Sequence, residues 1–184
     1  MRDRFYSGLA DLLTPSADNA WRWELKNRIL RKAGLKVGRH VAIDRGFEWL
    51  GGGAEVVLED YAVLGRNIKI YNFSEISIGK FCMFAGDVLM ANGGHDVSSF
   101  VPFSGALRIG RGCWVGTGVK IVGPDLQIGD NAILGAGALV NKSVPAGAIV
   151  AGVPAKVIGY RELPEKVWHL GGKWFSPQTF ELLE

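Results

Sequence analysis

Between residues 109 and 154 the chain repeats with a period that neither common secondary structure has. A large aliphatic residue returns every six positions at Ile109, Val115 and Ile121 and, after one extra residue, at Ile128, Leu134 and Val140. Gly follows at Gly110, Gly116, Gly129 and Gly135, and a small residue sits four places on at Cys113, Val119, Ala132, Ala138 and Val144. A helix repeats about every 3.6 residues and a strand every two, whereas this hexapeptide pattern belongs to a β-helix. Three strands of about six residues close a triangular coil of about 18, and coils stack about 4.8 Å apart like neighbouring strands of a sheet. One large residue per side fills the interior, the small residue fits the corner, and Gly permits tight or left-handed backbone. No coil buries its own core, so stability comes from stacking.

The pattern starts earlier than this stretch. Val37, Ile43 and Trp49 head a first coil before the Gly51–Gly53 loop; Leu58, Leu64 and Ile70 head a second, and Ile78, Phe84 and Met90 a third. In coils two to five all 12 head positions are large and apolar, and six of the next 12 are Gly, against about two expected from 26 glycines in 184 residues. The spacers between coils can be adjusted, so the glycine excess weighs more in this assignment than the heads. Coil starts at Val37, Leu58, Ile78, Ile109 and Ile128 are near-evenly spaced except for 31 residues between Ile78 and Ile109. About a dozen of these leave the prism as a loop, residues 91–107. The expectation is an all-β chain: a parallel β-helix of about five coils over residues 35–158, a helical segment at 1–34 and a tail at 159–184. The stack is expected to end near Pro145, and the tail to form one or two short helices against the prism.

Phe5, Leu9, Leu12 and Leu13 have helical spacing, broken by Thr14, Pro15 and Ser16. A second helix runs from about Asp18, with Asp18 or Asn19 able to cap it and Gly34 placed to end it. Trp21, Leu25 and Ile29 lie on one face, with Trp23 and Leu30 nearly opposite. Two readings are open. Both faces are buried, one on the first coil and one on the first helix or a neighbouring subunit; or the face near Arg22, Lys26, Arg28, Arg31 and Lys32 makes peripheral contact with an anionic membrane surface.

With 48% apolar and 21% charged residues, the chain can build one well-cored domain with short appendages. A net charge of +3 without a Lys/Arg block argues against nucleic-acid binding. The start lacks a secretory pattern and no long apolar run follows, which points to the cytoplasm. Cys82 and Cys113 fall at the small fourth position on adjacent coils, and read as corner-filling residues rather than a disulfide.

The extruded loop, ANGGHDVSSFVPFSGALR, contains His95 after Gly93 and Gly94. His40 and His169 are the other histidines, and both read as solvated. A loop histidine alone is ordinarily a surface residue. This one is followed by IGRGCWVGTGV and then AGVPAKVI, and the combination resembles the hexapeptide acyltransferases that adopt a left-handed β-helix and use acetyl-CoA. The resemblance covers about residues 20–160 and is strongest to the O-acetyltransferases of exopolysaccharide and colanic-acid biosynthesis and to the galactoside, maltose and xenobiotic acetyltransferases. Handedness is implied by the resemblance, not by the period.

The resemblance implies that His95 is the general base, taking the proton of an acceptor hydroxyl as it attacks the thioester. An imidazole suits this role because it accepts a proton near neutral pH. It implies that the Thr117 N–H stabilises the oxyanion, that Trp114 and Gly116 line the pantetheine arm, and that the Gly135 and Ala136 backbone hydrogen-bonds it. Lys142, Gly152, Pro154 and Lys156 correspond to the carboxy-terminal part of the coenzyme site, where basic side chains meet phosphates. A basic residue that some relatives carry three positions after Lys156 is Gly159 here, which leaves Arg161 as an alternative. Asp87 stands where relatives often have an acceptor-touching Asn, so it either binds a sugar hydroxyl or orients His95. Asp96 is the second candidate for that orientation, and Asn92 a weaker acceptor contact.

The implied function is O-acetylation of a sugar hydroxyl in surface-polysaccharide synthesis. It would proceed without metal, in a homotrimer with sites between subunits, in the cytoplasm or at the inner face of the membrane. An enzyme for a free small sugar or an antibiotic, and a non-catalytic trimeric scaffold, are the alternatives. The three histidines lack the clustering a γ-class carbonic anhydrase needs.

Overall fold

The computed structural model describes residues 20–49, 54–169 and 173–183. The first expected helix, the cap at Asp18 or Asn19 and the Gly51–Gly53 loop lie outside the described residues.

The expected coil starts stack on one another. Val37 pairs with Leu58, Leu58 with Ile78, Ile78 with Ile109 and Ile109 with Ile128, forming a five-stranded parallel first wall. Ile43, Leu64, Phe84, Val115 and Leu134 align likewise along the second wall. Trp49, Ile70, Met90, Ile121 and Val140 align along the third. All these side chains are buried in one core. Side chains alternate along a strand, so residues two before a head, such as Ile76, Leu107 and Leu126, also point inward. Burying an aliphatic side chain of this size is worth about 1.5–3 kcal/mol, and every coil repeats it.

The stack runs past Pro145. Val144 bridges to Ile128 and Val150 pairs with Leu134, adding a partial sixth coil. The chain then reverses, and Lys156–Tyr160 runs antiparallel along Ala148–Ala151, covering that edge of the second wall.

The corners differ from expectation in one respect. The glycine after each head does not supply the left-handed residue; that residue falls three places after the head. At the corner between first and second walls these are His40, Tyr61, Phe81, Gly112, Asn131 and Gly147, and between second and third walls Gly46, Asn67, Asp87, Gly118 and Gly137. The glycine after the head is needed for close stacking: a Cβ on Gly129 would lie 2.3 Å from the Ala146 nitrogen. Cys82 and Cys113 are free and buried. Their thiols donate to the carbonyls of Gly110 and Gly129, and burial pushes the Cys82 thiol well up.

Helix α1, Ala20–Ala33, covers the amino-terminal end of the prism and stops at Gly34, whose φ is +113°. An end coil has unpaired carbonyls facing outward, and polar groups on the helix meet them. Lys26 donates to the Asp44 carbonyl, Asn27 to that of Val41, and Arg31 to those of Val37 and Gly38. Leu30 is fully buried while Trp21 is 65% exposed. The expected membrane-facing basic face is therefore divided: Lys26 and Arg31 turn to the first coil, and Arg28 and Lys32 stay exposed.

The tail is stranded rather than helical. Val167–His169, Lys173–Phe175 and Leu182–Leu183 form an antiparallel sheet. Adjacent Trp174 and Phe175 stand on opposite faces of it, one exposed and one buried, as neighbours in a strand do. Val167, Phe175 and Leu182 pack against the prism. Phe175 stacks on Phe81 at 4.4 Å, extending a column through Tyr61 to His40. Phe180 takes the space left by Gly112 beneath the Arg111 guanidinium, and Asn131 donates to the Pro177 carbonyl. No described helix is long and apolar enough to cross a membrane.

Candidate active site

The long spacing between the third and fourth coils becomes a hairpin projecting from the corner after the third wall. Gly93–His95 pairs antiparallel with Pro102–Ser104, setting His95 opposite Pro102. Of the two glycines before His95, Gly93 is required by packing and Gly94 is closely approached. A Cβ on Gly93 would lie 2.8 Å from the Phe103 carbonyl oxygen and 2.9 Å from the Phe73 side chain, and one on Gly94 would lie 3.2 Å from the Phe103 ring. His95 is exposed and lines a cleft of about 420 Å³ with Phe73, Phe103 and Ser104.

The three polar residues expected near His95 are each engaged elsewhere. Asn92 is fully buried; its side-chain oxygen accepts from the N–H groups of Phe73 and Ser74 and its amide donates to the Glu75 carbonyl. That corrects the expectation of an acceptor contact: Asn92 braces the root of the hairpin. Asp96 closes the hairpin tip, accepting from the Ser98 and Ser99 N–H groups and the Ser99 hydroxyl. Those bonds, the Ser99 N–H first, hold its carboxyl below the usual range. Asp87 stands exposed at the second–third corner, where Asn67 donates to one of its oxygens at 2.9 Å. It borders a depression with Glu48, Lys69 and Tyr71 on the third wall, away from the His95 cleft.

On the second wall Trp114 is 53% exposed, between Met83 below and Ile133 above. At the end of that wall Thr117 is exposed and its carbonyl accepts from Gly137. Its own N–H, and that of Ala136 one coil above, have no acceptor among the described residues. A Cβ on Gly116 would lie 2.7 Å from the Ala136 nitrogen, so this glycine lets the two donors stack. Gly135 differs from its neighbour: its N–H is spent on the Val150 carbonyl.

Lys142, Gly152, Pro154 and Lys156 are all exposed at the carboxy-terminal end of the prism. The turn containing Gly152 and Pro154 stacks on Leu139 through the Leu139 N–H and the Ala155 N–H. Arg161 points back toward the Gly112 carbonyl, half-buried, and burial lowers its guanidinium from its ordinary range. Sequence reasoning missed Phe73 and Phe103, which shape the His95 cleft; both fall where the six-residue period is interrupted.

No family model matches the chain. The fold and the hairpin nonetheless define a class. A hexapeptide-repeat acetyltransferase of Vibrio cholerae, solved with acetyl coenzyme A, superposes with a TM-score of 0.72 at 20% identity, over 86% of this chain and 87% of that one. The architecture is thus a left-handed β-helix of the acetyltransferase type. A protein designated colanic acid biosynthesis acetyltransferase WcaF, from Escherichia coli K12, is 33% identical over 147 residues, covering 77% of this chain and 76% of its own length. The galactoside O-acetyltransferase of the same organism is 32% identical over 108 residues, 56% of this chain and 52% of that enzyme. The chain belongs to the family of these hexapeptide-repeat acetyltransferases.

Proposed function

We propose that the chain moves the acetyl group of acetyl-CoA to a hydroxyl of a sugar in a surface or exopolysaccharide pathway, on the cytoplasmic side of the membrane. The acceptor oxygen attacks the thioester carbonyl while His95 takes its proton. The tetrahedral oxyanion is held by the Thr117 N–H, and its collapse expels the coenzyme thiolate, which takes up a proton. Residues 35–158 carry this chemistry. Trp114 and Ala136 flank the pantetheine arm, and Lys142 and Lys156 meet the phosphates. Asp87, at the same second–third corner as Thr117, contacts the sugar from the prism that carries Thr117 rather than from the one that carries the reacting His95.

One observation carries the reading. The hairpin bearing His95 leaves from the third–first corner, while Trp114 and Thr117 lie on the second wall and at its far corner. Each wall is about five or six residues wide, so these corners are about 17 Å apart. A closed homotrimer brings the hairpin of one prism to the second wall of the next, and every site is completed by two copies. The exposed apolar tip, with Val97 and Phe100 at 89% and 74%, suits such a contact.

Mixing two inactive variants tests it. His95→Ala and Trp114→Arg, unfolded and refolded together at equal amounts, should recover about a quarter of wild-type turnover, because a quarter of the neighbouring pairs combine an intact His95 with an intact Trp114. No recovery would place the whole site in one chain.

A further inference from the structure

The carboxy-terminal sheet has one face committed to the prism and one face left open. Trp168 pairs with Trp174, and Trp174 with Leu183, so the three share the outer face, and they are 47%, 41% and 41% exposed. The sheet is fixed in place by the Phe175–Phe81 stack, by Phe180 over Gly112 and by the Asn131–Pro177 hydrogen bond. Gly112 is two residues before Trp114, so the sheet borders the second wall where the coenzyme is proposed to lie.

We infer that the row of Trp168, Trp174 and Leu183 is a second carbohydrate-binding site, a platform for pyranose rings of the acceptor chain remote from the reacting hydroxyl. The inference rests on the sugar-acetylation reading above and names its acceptor as an oligosaccharide or longer. The chemistry fits a sugar ring, whose C–H face is apolar and whose rim is hydroxyl. Indoles present a flat apolar surface with an N–H at the edge. Exposed Glu162, Glu165 and Glu181 flank the strands and accept hydrogen bonds from hydroxyls, while Lys166 lies over Trp174 at 4.9 Å and donates. In residues 161–183 Glu162, Glu165 and Glu181 are matched in number by Arg161, Lys166 and Lys173, so the segment lacks the basic excess that an anionic bilayer attracts.

The test follows the indole N–H resonances of the six tryptophans in the full chain during titration with cellohexaose and with maltohexaose. Trp168 and Trp174 should shift with at least one hexasaccharide while Trp49, in the core, stays still. Trp168→Ala/Trp174→Ala should abolish the binding and raise KM for long acceptors about tenfold relative to a monosaccharide, with Trp→Phe at both positions recovering most of it. Three outcomes overturn the platform: neither hexasaccharide moves the two resonances; the double Ala variant changes the sedimentation coefficient, which gives the face to a second copy; or phosphatidylglycerol vesicles, rather than sugars, move the indoles. Binding is read without turnover. A wild type that acetylates sugars yet fails the titration sinks the platform alone, and one that binds glycans but never turns over acetyl-CoA sinks the transferase reading alone.

Discussion

The prism walls and the His95 hairpin obey different constraints. In the walls each head residue touches the equivalent residue of the coils above and below, and the six-residue period leaves no choice about which way it points. In the hairpin the backbone pairs only with itself, and the side chains of residues 95–104 are exposed. The walls are therefore where stability resides, and the hairpin can change chemistry without changing the fold. Its root is braced, where Asn92 bonds the Phe73–Glu75 corner between the second and third coils and Gly93 lies against Phe73.

The sharpest way to break this contrast is to empty a wall. Phe84→Ala removes a 3% exposed ring from mid-prism and should cost about 3–5 kcal/mol, read by chemical denaturation. A loss under 1 kcal/mol would mean that the coils do not share a continuous core. The stacking glycines come next. Gly129→Ala drives a Cβ into the Ala146 backbone nitrogen, and should cost about 1–3 kcal/mol while leaving the secondary structure intact by circular dichroism.

A surface pair between coils gives a smaller, pH-dependent effect. Burial raises the Asp60 carboxyl, but the Arg39 N–H and guanidinium outweigh it, and its net position is below the usual range. A carboxyl depressed in the folded chain stabilises it above the unfolded value, about 3.9, and loses that contribution as pH falls through the folded value. Asp60→Asn should therefore lower stability near neutrality by about 0.2–1 kcal/mol, and the two proteins should converge in acid. The smallest effect belongs to the hairpin. Val97→Ser with Phe100→Ser should change the stability of a dissociated chain by no more than about 0.5 kcal/mol. A larger loss would show that the tip packs on its own prism.

The same contrast explains what is legible in the sequence. Val37, Leu58, Ile78, Ile109 and Ile128 align by spacing alone because each faces the same interior, and the register follows them residue for residue. Where the period lapses, inference from spacing fails. The tail reads as helical because strands of two or three residues are too short to show a period of their own. Its strands are held by the space Gly112 leaves for Phe180 and by the Phe81 ring that receives Phe175, contacts between residues far apart in the chain. His95 and Trp114 emerge through resemblance, since nothing in the hexapeptide period marks an outward residue as reactive. Asn92 reads as an acceptor contact because a buried asparagine and an active-site asparagine look alike in sequence; its three backbone hydrogen bonds decide.

The most direct measurement is free-thiol release from acetyl-CoA by wild type and His95→Ala across a panel of sugars and a polysaccharide extract, at matched folding. If His95 is the general base, release by the wild type depends on the acceptor and kcat falls by about 10²–10⁴-fold in the variant, with the affinity for acetyl-CoA retained. Full transfer by His95→Ala to an identified acceptor would contradict that role.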